Sequence, residues 1–275
     1  MPCRLGCHGS VSTLLAINLE QLKLRYHPEN PQSTSKKWLY VGLPTVEYRE
    51  AWDLQKAIVV ARRGGIIGSD IVVFLDHHPV FTLGRSGRLG SLTVSEELLE
   101  REGISVIQVE RGGDITFHGP GQLVVYPIID LRAARLGVVD YVTALEEVMI
   151  RTAADWGIQA ERNPKNRGVW VGDRKLGSIG VAIRRGVSFH GLAFNVNTPL
   201  TPFSWIHPCG LENTQMTSLK HELSQEVSMS KVRDAARQHF EAVFEVELVK
   251  ISLPELKALL RKPNLPQPSG LQTHF

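Results

Sequence analysis

The sequence predicts an α/β (α+β) fold, a single domain around a mixed central β-sheet flanked by helices. Three observations predict it. Helical and strand periodicities alternate along the chain. Tight-turn signals at residues 172–173 and 184–186 join consecutive strand runs, so hairpins outnumber βαβ units and the sheet is largely antiparallel or mixed. The 275 residues, 43% hydrophobic and 21% charged, suit a globular body that buries a core without staples.

The elements follow in order. Ala51, Leu54, Ile58 and Ala61 recur at helical spacing, and Gly64-Gly65 stops that helix. IVVFL (71–75) is a buried-strand run, and Ser95 can cap a short helix. Residues 104–109 and 123–129 read as strands. Asp140 can cap a helix with Tyr141, Leu145, Val148 and Thr152 on one face, ending at Gly157. Runs 168–171, 176–183 and 187–196 are strand-like. Ser230 can cap a long helix with Val232, Ala236, Phe240 and Val243 inward; a strand near 245–251 and a helix from Pro254 close the body.

Composition sets the boundaries. Residues 28–37 are polar and Pro-bearing, a linker, and residues 262–275 carry three prolines, a loose tail. This leaves an N-terminal extension (1–37), a catalytic-size body (38–261) and the tail (262–275). The net charge of +3 is carried by the extension, in Arg4, Lys23, Arg25, Lys36 and Lys37 against Glu20 and Glu29; the remainder is balanced. The basic balance is therefore no sign of nucleic-acid binding. Three cysteines make no disulfide framework, and no apolar run approaches the ~20 residues of a membrane span. The expected compartment is the cytoplasm, with organellar targeting by the extension left open. Cys3, Cys7 and His8 lack further ligands for a metal site. His77-His78 reads either as a metal pair or as a loop-lining histidine.

Three segments carry possible chemistry. RGGDITFHGPGQ (111–122) threads Arg111, Asp114, Thr116, His118 and Gln122 through glycines that let backbone approach a ligand; a polar loop without chemistry is the alternative. GDRKLGSIG (172–180) sends Lys175 from a turn into a Gly-rich strand; an exposed turn lysine is the ordinary case. FSWIHPCGL (203–211) holds Cys209 between Pro208 and Gly210. A nucleophilic Cys209 needs a nearby cation or base, for which Lys175, His118, His190 and His207 are candidates.

With LDHHPVFTLGR (75–85), RGGDITFHGPGQLVVYPIIDL (111–131), RKLGSIGVAIRRGVSFHGLAFNV (174–196) and FSWIHPCGL (203–211) in that order, the chain resembles the lipoyl(octanoyl) transferases of lipoate biosynthesis over about residues 38–250. His78 stands where that family often has proline. The resemblance implies the biotin/lipoate protein ligase catalytic fold. It implies an octanoyl-[acyl-carrier-protein]:protein N-octanoyltransferase, moving an octanoyl or lipoyl group from acyl carrier protein to a lysine of lipoyl domains, in 2-oxoacid dehydrogenases and the glycine cleavage H protein. It implies Cys209 as the acyl-thioester nucleophile and Lys175 as the group that lowers the thiol pKa and acts as acid and base. It places Arg111, Gly112, Gly113, Asp114, Ile115, Thr116, Phe117, His118, Ser178, Ile179, Gly180, Gly191, Leu192 and Ala193 along the acyl and thioester site. No cofactor or metal is expected, no nucleic acid or membrane partner, and a monomer is expected.

The chemistry of the residues agrees with those roles. A thiol attacking a thioester keeps the acyl energy in an acyl-enzyme, with no ATP. An ammonium beside the thiol favours the thiolate, and a buried lysine can take a proton from an incoming amine. Rival readings are an ATP-dependent lipoate or biotin protein ligase on the same fold, a cysteine thioesterase, and a non-catalytic binder. The biotin-ligase G-R-G-R-x-G-R loop is absent from the sequence.

Overall fold

The computed structural model describes residues 35–164, 166–207 and 214–261. Cys3, Cys7, His8 and Cys209 lie outside the described residues, as does the tail.

One sheet forms the spine. Its strands are β1 (Lys36–Val46), β2 (Ile71–His77), β6 (Gln122–Ile128), β7 (Glu161–Asn163), β8 (Asn166–Val171), β9 (Arg174–Arg184), β10 (Val187–Asn195), β11 (Gln215–Met216) and β12 (Val246–Lys250). They lie in the order β12-β1-β2-β6-β10-β9-β8-β7, with β11 also on β9. β1 runs parallel to β12 and β2, and β11 parallel to β9; the other pairs are antiparallel. The sheet is mixed, as its hairpins predict. A second sheet, β4-β3-β5, joins β3 (Val80–Leu83), β4 (Ser105–Gln108) and β5 (Ile115–His118).

Six α-helices are described: α1 (Tyr48–Arg63), α2 (Glu96–Arg101), α3 (Val138–Ala154), α4 (Leu219–Leu223), α5 (Met229–Phe244) and α6 (Leu253–Leu260). Strand alternation explains how they cover the sheet. Tyr40, Phe74 and Val125 point to the face packed by Tyr141, Leu145 and Met149 of α3 and Phe240 of α5. Their chain neighbours Val41, Val73 and Val124 point to the opposite face, with Ala51 and Ile58 of α1 and Leu256 of α6. β2 and β6 are thus covered on both faces, which is why they read as continuous apolar runs. No described helix is long and apolar enough to cross a membrane.

Several sequence expectations shift. β1 starts at Lys36, taking Lys36 and Lys37 out of the stretch read as linker. The segment 111–122 is not one loop, for β5 lies within it. Asp140 does not cap α3; Gly137 does, and Asp140 sits in the first turn, where a carboxylate meets the positive end of the helix dipole. Ser228, not Ser230, caps α5, accepting from the Lys231 N–H. Ser95 caps α2 as expected, and Ser252 with Glu255 forms a capping box on α6.

Candidate active site

A cavity of about 740 Å³ opens where β5, β9 and β10 meet the start of α1. Residues 111–116, His118, Lys175, Ser178, Ile179, Gly180, Gly191, Leu192 and Ala193 all line it. Phe117 does not: its side chain is 2% exposed and packs with Phe81, Leu83 and Ile206 in a satellite core. Residues on adjacent positions of a strand face opposite ways, so His118 and Phe117 separate. His207 and Thr214 also line the cavity; they flank residues 208–213, which contain Cys209.

Lys175 is buried by its hairpin. It pairs with Trp170 of β8, and its Nζ lies 5.3 Å from the Trp170 ring centre. Nζ donates to Asn166 Oδ1 at 3.0 Å. Burial lowers its pKa to about 8, opposed by the carboxylate of Glu146. Glu146, 1% exposed, accepts from the Gly168 N–H at 3.0 Å and pairs with Arg162 and Arg167 at 3.3 and 3.4 Å. Its negative charge is thus already shared when it faces Lys175. β11 runs beside the same strand, with Met216 opposite Lys175 and the Thr217 N–H donating to the Lys175 carbonyl at 2.9 Å.

Arg111 is 6% exposed and is held by Thr82: Nη2 donates to its carbonyl at 2.6 Å and Nε to its hydroxyl at 3.1 Å. It crosses β9 at Gly180, where an added Cβ would lie 2.8 Å from Arg111 Cδ. At Gly191 a Cβ would lie 2.1 Å from the Val125 carbonyl oxygen. These glycines admit neighbouring protein as much as they open space to a ligand.

Beyond them sits an aromatic and histidine cluster that the motifs do not announce as a unit: Tyr48, His77, His118, Tyr126 and His190. His77 Nδ1 lies 3.1 Å from the Val46 carbonyl oxygen, so Nδ1 carries the proton and Nε2 accepts from the Tyr126 hydroxyl at 2.7 Å. His77 is thus neither a loop residue nor a free metal ligand, and burial lowers its pKa to about 4. Among the described residues no three His, Cys, Asp or Glu side chains gather as a metal site. His190 holds a left-handed φ of 56°, and its Nδ1 lies 3.4 Å from the Tyr48 hydroxyl. Sequence reasoning also missed Tyr48, Tyr126 and Asn166. Tyr48 and Asn166 lie outside the quoted motifs and Tyr126 sits in the apolar half of 111–131, and each reaches the cavity through tertiary packing.

Residues 47–241 match the family model of the lipoyl protein ligase A/B catalytic domain. The chain is 49% identical over 195 residues to the octanoyltransferase of Desulfotalea psychrophila, covering 70% of this chain and 87% of that one. It is 46% identical over 225 residues to the octanoyltransferase of Syntrophobacter fumaroxidans, covering 82% and 98%. The chain belongs to the octanoyltransferase family. It is an acyltransferase that moves an octanoyl group in protein lipoylation.

The octanoyltransferase shares its fold with solved ligases. A lipoate-protein ligase A bound with ATP superposes with a TM-score of 0.65 at 16% identity, covering 82% of this chain and 93% of that one. A bi-partite lipoate protein ligase from Thermoplasma acidophilum gives 0.63 at 17% identity, covering 82% and 91%. At such identities the likeness extends to the fold, and the ATP-dependent ligase reading fits less well than acyl transfer.

Proposed function

We propose that this octanoyltransferase takes its acyl group from an acyl carrier protein thioester onto Cys209 and passes it to a lysine of a lipoyl domain, with Lys175 as acid and base. The observation that carries this reading is Lys175 itself: a buried lysine with a pKa near 8, lining a cavity that His207 and Thr214 also line. Cys209 is two residues from His207 in the sequence.

In the first half-reaction the Cys209 thiol gives its proton to the Lys175 amine and its sulfur attacks the thioester carbonyl; the C–S bond to the carrier breaks, and Lys175 returns the proton to the departing carrier thiolate, which leaves the amine free for the second step. In the second, the acceptor amine attacks the Cys209 thioester. A C–N bond forms, the C–S bond breaks, and one amine proton passes to Lys175. A lysine with a pKa near 8 holds both protonation states near neutral pH, which both steps require. Ile115, Ile179, Leu192 and Ala193 offer apolar wall to the acyl chain, at about 0.8 kcal/mol per buried CH₂. Arg111, Gly112, Gly113, Asp114, Thr116, His118, Ser178, Gly180 and Gly191 complete the proposed thioester and acyl site; Phe117 supports it from behind.

The test is transfer from octanoyl carrier protein to an apo lipoyl domain without ATP. Octanoyl-lysine should form, and intact-protein mass spectrometry should find an octanoyl adduct on the enzyme that Cys209→Ala lacks. An adduct that persists in Cys209→Ala would overturn the nucleophile assignment. A requirement for ATP would revive the ligase reading.

A further inference from the structure

We propose that His118 is a further catalytic residue, a neutral imidazole whose Nε2 lone pair accepts a hydrogen bond from the attacking amine, and that Gln122 and Asn195 are positioning residues that fix this tautomer. The inference deepens the proposed function and rests on its aminolysis step.

The tautomer follows from a chain of hydrogen bonds that starts at a backbone carbonyl. A carbonyl only accepts, so the side-chain atom of Asn195 that lies 2.9 Å from the Thr217 carbonyl oxygen must be its amide nitrogen. Asn195 Oδ1 therefore faces Gln122 and accepts from its Nε2 at 2.9 Å. The same Nε2 donates to the Phe117 carbonyl at 3.2 Å, a second constraint against a flipped amide. Gln122 Oε1 is left toward His118, 2.7 Å from Nδ1. An amide oxygen cannot donate, so His118 Nδ1 carries the proton and Nε2 carries the lone pair.

Every member of the chain is buried: His118 is 6% exposed, Gln122 2%, Asn195 1% and Thr217 0%. In such surroundings a wrong tautomer would leave two acceptors facing each other, so the alternative is strongly disfavoured. Nε2 has no protein partner among the described residues, yet it is not one of the buried atoms left unsatisfied, and His118 lines the cavity. The lone pair therefore opens into the cavity. Burial, with His77 nearby, holds the imidazole well below its ordinary pKa, so it stays neutral.

This state suits one partner and excludes another. A lone pair repels a thioester oxyanion, so His118 does not serve as an oxyanion donor. A neutral amine attacking a carbonyl aims its lone pair at carbon and must place its N–H bonds on acceptors. As the C–N bond forms, the nitrogen gains positive charge and its hydrogen bond to Nε2 strengthens, a gain specific to the transition state. His118 gives up and takes up no proton; one amine proton goes to Lys175 and the sulfur leaves as thiolate. The Thr217 carbonyl that anchors the chain belongs to the residue whose N–H bonds Lys175, so the acceptor and the base share one frame.

The experiment is a long-range ¹⁵N–¹H correlation spectrum of histidine-labelled full-length enzyme, with the two half-reactions timed separately. The His118 signal should show a protonated Nδ1 and an unprotonated Nε2, and Gln122→Leu should shift it toward the Nε2–H form. In His118→Phe, aminolysis of the octanoyl-enzyme should fall at least tenfold more than acylation of Cys209. A wild-type Nε2–H tautomer, or equal losses in both half-reactions, overturns the proposal. The spectrum needs no acyl-enzyme, so it decides the tautomer even if no adduct forms and the Cys209 reading itself fails.

Discussion

Lys175 ties activity and stability to the same burial. Its folded pKa near 8 lies below its ordinary 10.5, so between those values the unfolded chain binds more protons than the folded one. Stability should therefore rise with pH from about 8 to 10.5, and below pH 8 the full penalty of a buried charge applies. That penalty is at most about 3 kcal/mol at 1.36 kcal/mol per unit. Lys175→Met should raise the melting temperature at pH 7 while cutting transfer severely; a lower melting temperature would refute the burial argument. The rate of aminolysis should climb through about pH 8 as the Lys175 amine loses its proton, and a flat profile from pH 7 to 9 would remove Lys175 as the base. This lysine was legible because it sits in a motif, but its burial was not, since a turn lysine is ordinarily exposed. Asn166, which accepts its hydrogen bond, is nine positions away and meets it through the β8–β9 hairpin. The sequence groups Phe117 with the lining residues because β5 is too short and too closely flanked by glycines to announce the alternation that turns Phe117 away from His118.

At the scale of elements, β8 and α5 make contrasting tests. Gly168 of β8 has a φ of 120°, and an added Cβ would lie 2.3 Å from the Gly177 carbonyl oxygen and 2.7 Å from Lys175 Cε. Gly168→Ala must move both β9 and Lys175. It should lower stability by about 1–3 kcal/mol and kcat by tenfold or more, as overpacking beside a catalytic group does. Ser228 caps α5 and is not among the residues that line the cavity. Ser228→Ala should cost about 1 kcal/mol, read as a lower melting temperature, with kcat unchanged. If both variants lose activity in proportion to stability, Gly168 has no special relation to the site. The long elements were readable from periodicity, and α1, α3 and α5 lie where their apolar spacing puts them. Caps slipped by two or three residues, because Ser228 and Ser230 are both acceptable caps and only packing chooses. The short strands β3 and β5 were hidden for a physical reason. They are four residues each, and β5 is enclosed by glycines that suppress a strand reading; their pairing with each other, not local propensity, makes them strands.

Over the whole molecule, placement of charge says more than its sum. The turn between β9 and β10 carries exposed Arg184 and Arg185, and it meets the loop after β6 through the Leu131 N–H to Gly186 carbonyl bond at 3.0 Å. That loop carries exposed Arg132 and Arg135, and a Cβ on Gly186 would lie 3.3 Å from Arg132 Nε. None of the four guanidinium groups pairs with a carboxylate among the described residues, whereas that of nearby Arg62 is paired with Asp70 at 2.7 Å. Arg132 with Arg135 and Arg184-Arg185 lie far apart in the sequence; the fold makes them one surface. β9 links it to the cavity, with only Ala182 and Ile183 between Arg184 and cavity-lining Val181. An acidic acyl carrier would be steered to such a surface, and steering acts chiefly on association and fades with salt. The combined variant Arg132→Glu, Arg184→Glu, Arg185→Glu should raise KM for octanoyl carrier protein at least tenfold at about 0.05 M salt, where the Debye length exceeds ~10 Å. The deficit should shrink at about 0.5 M salt, where wild type and variant are both screened. KM for a small octanoyl thioester, which has no acidic carrier surface, should not change. An equal rise for both donors would mean that the reversal disturbed the cavity, and no rise for either would place carrier docking on another face.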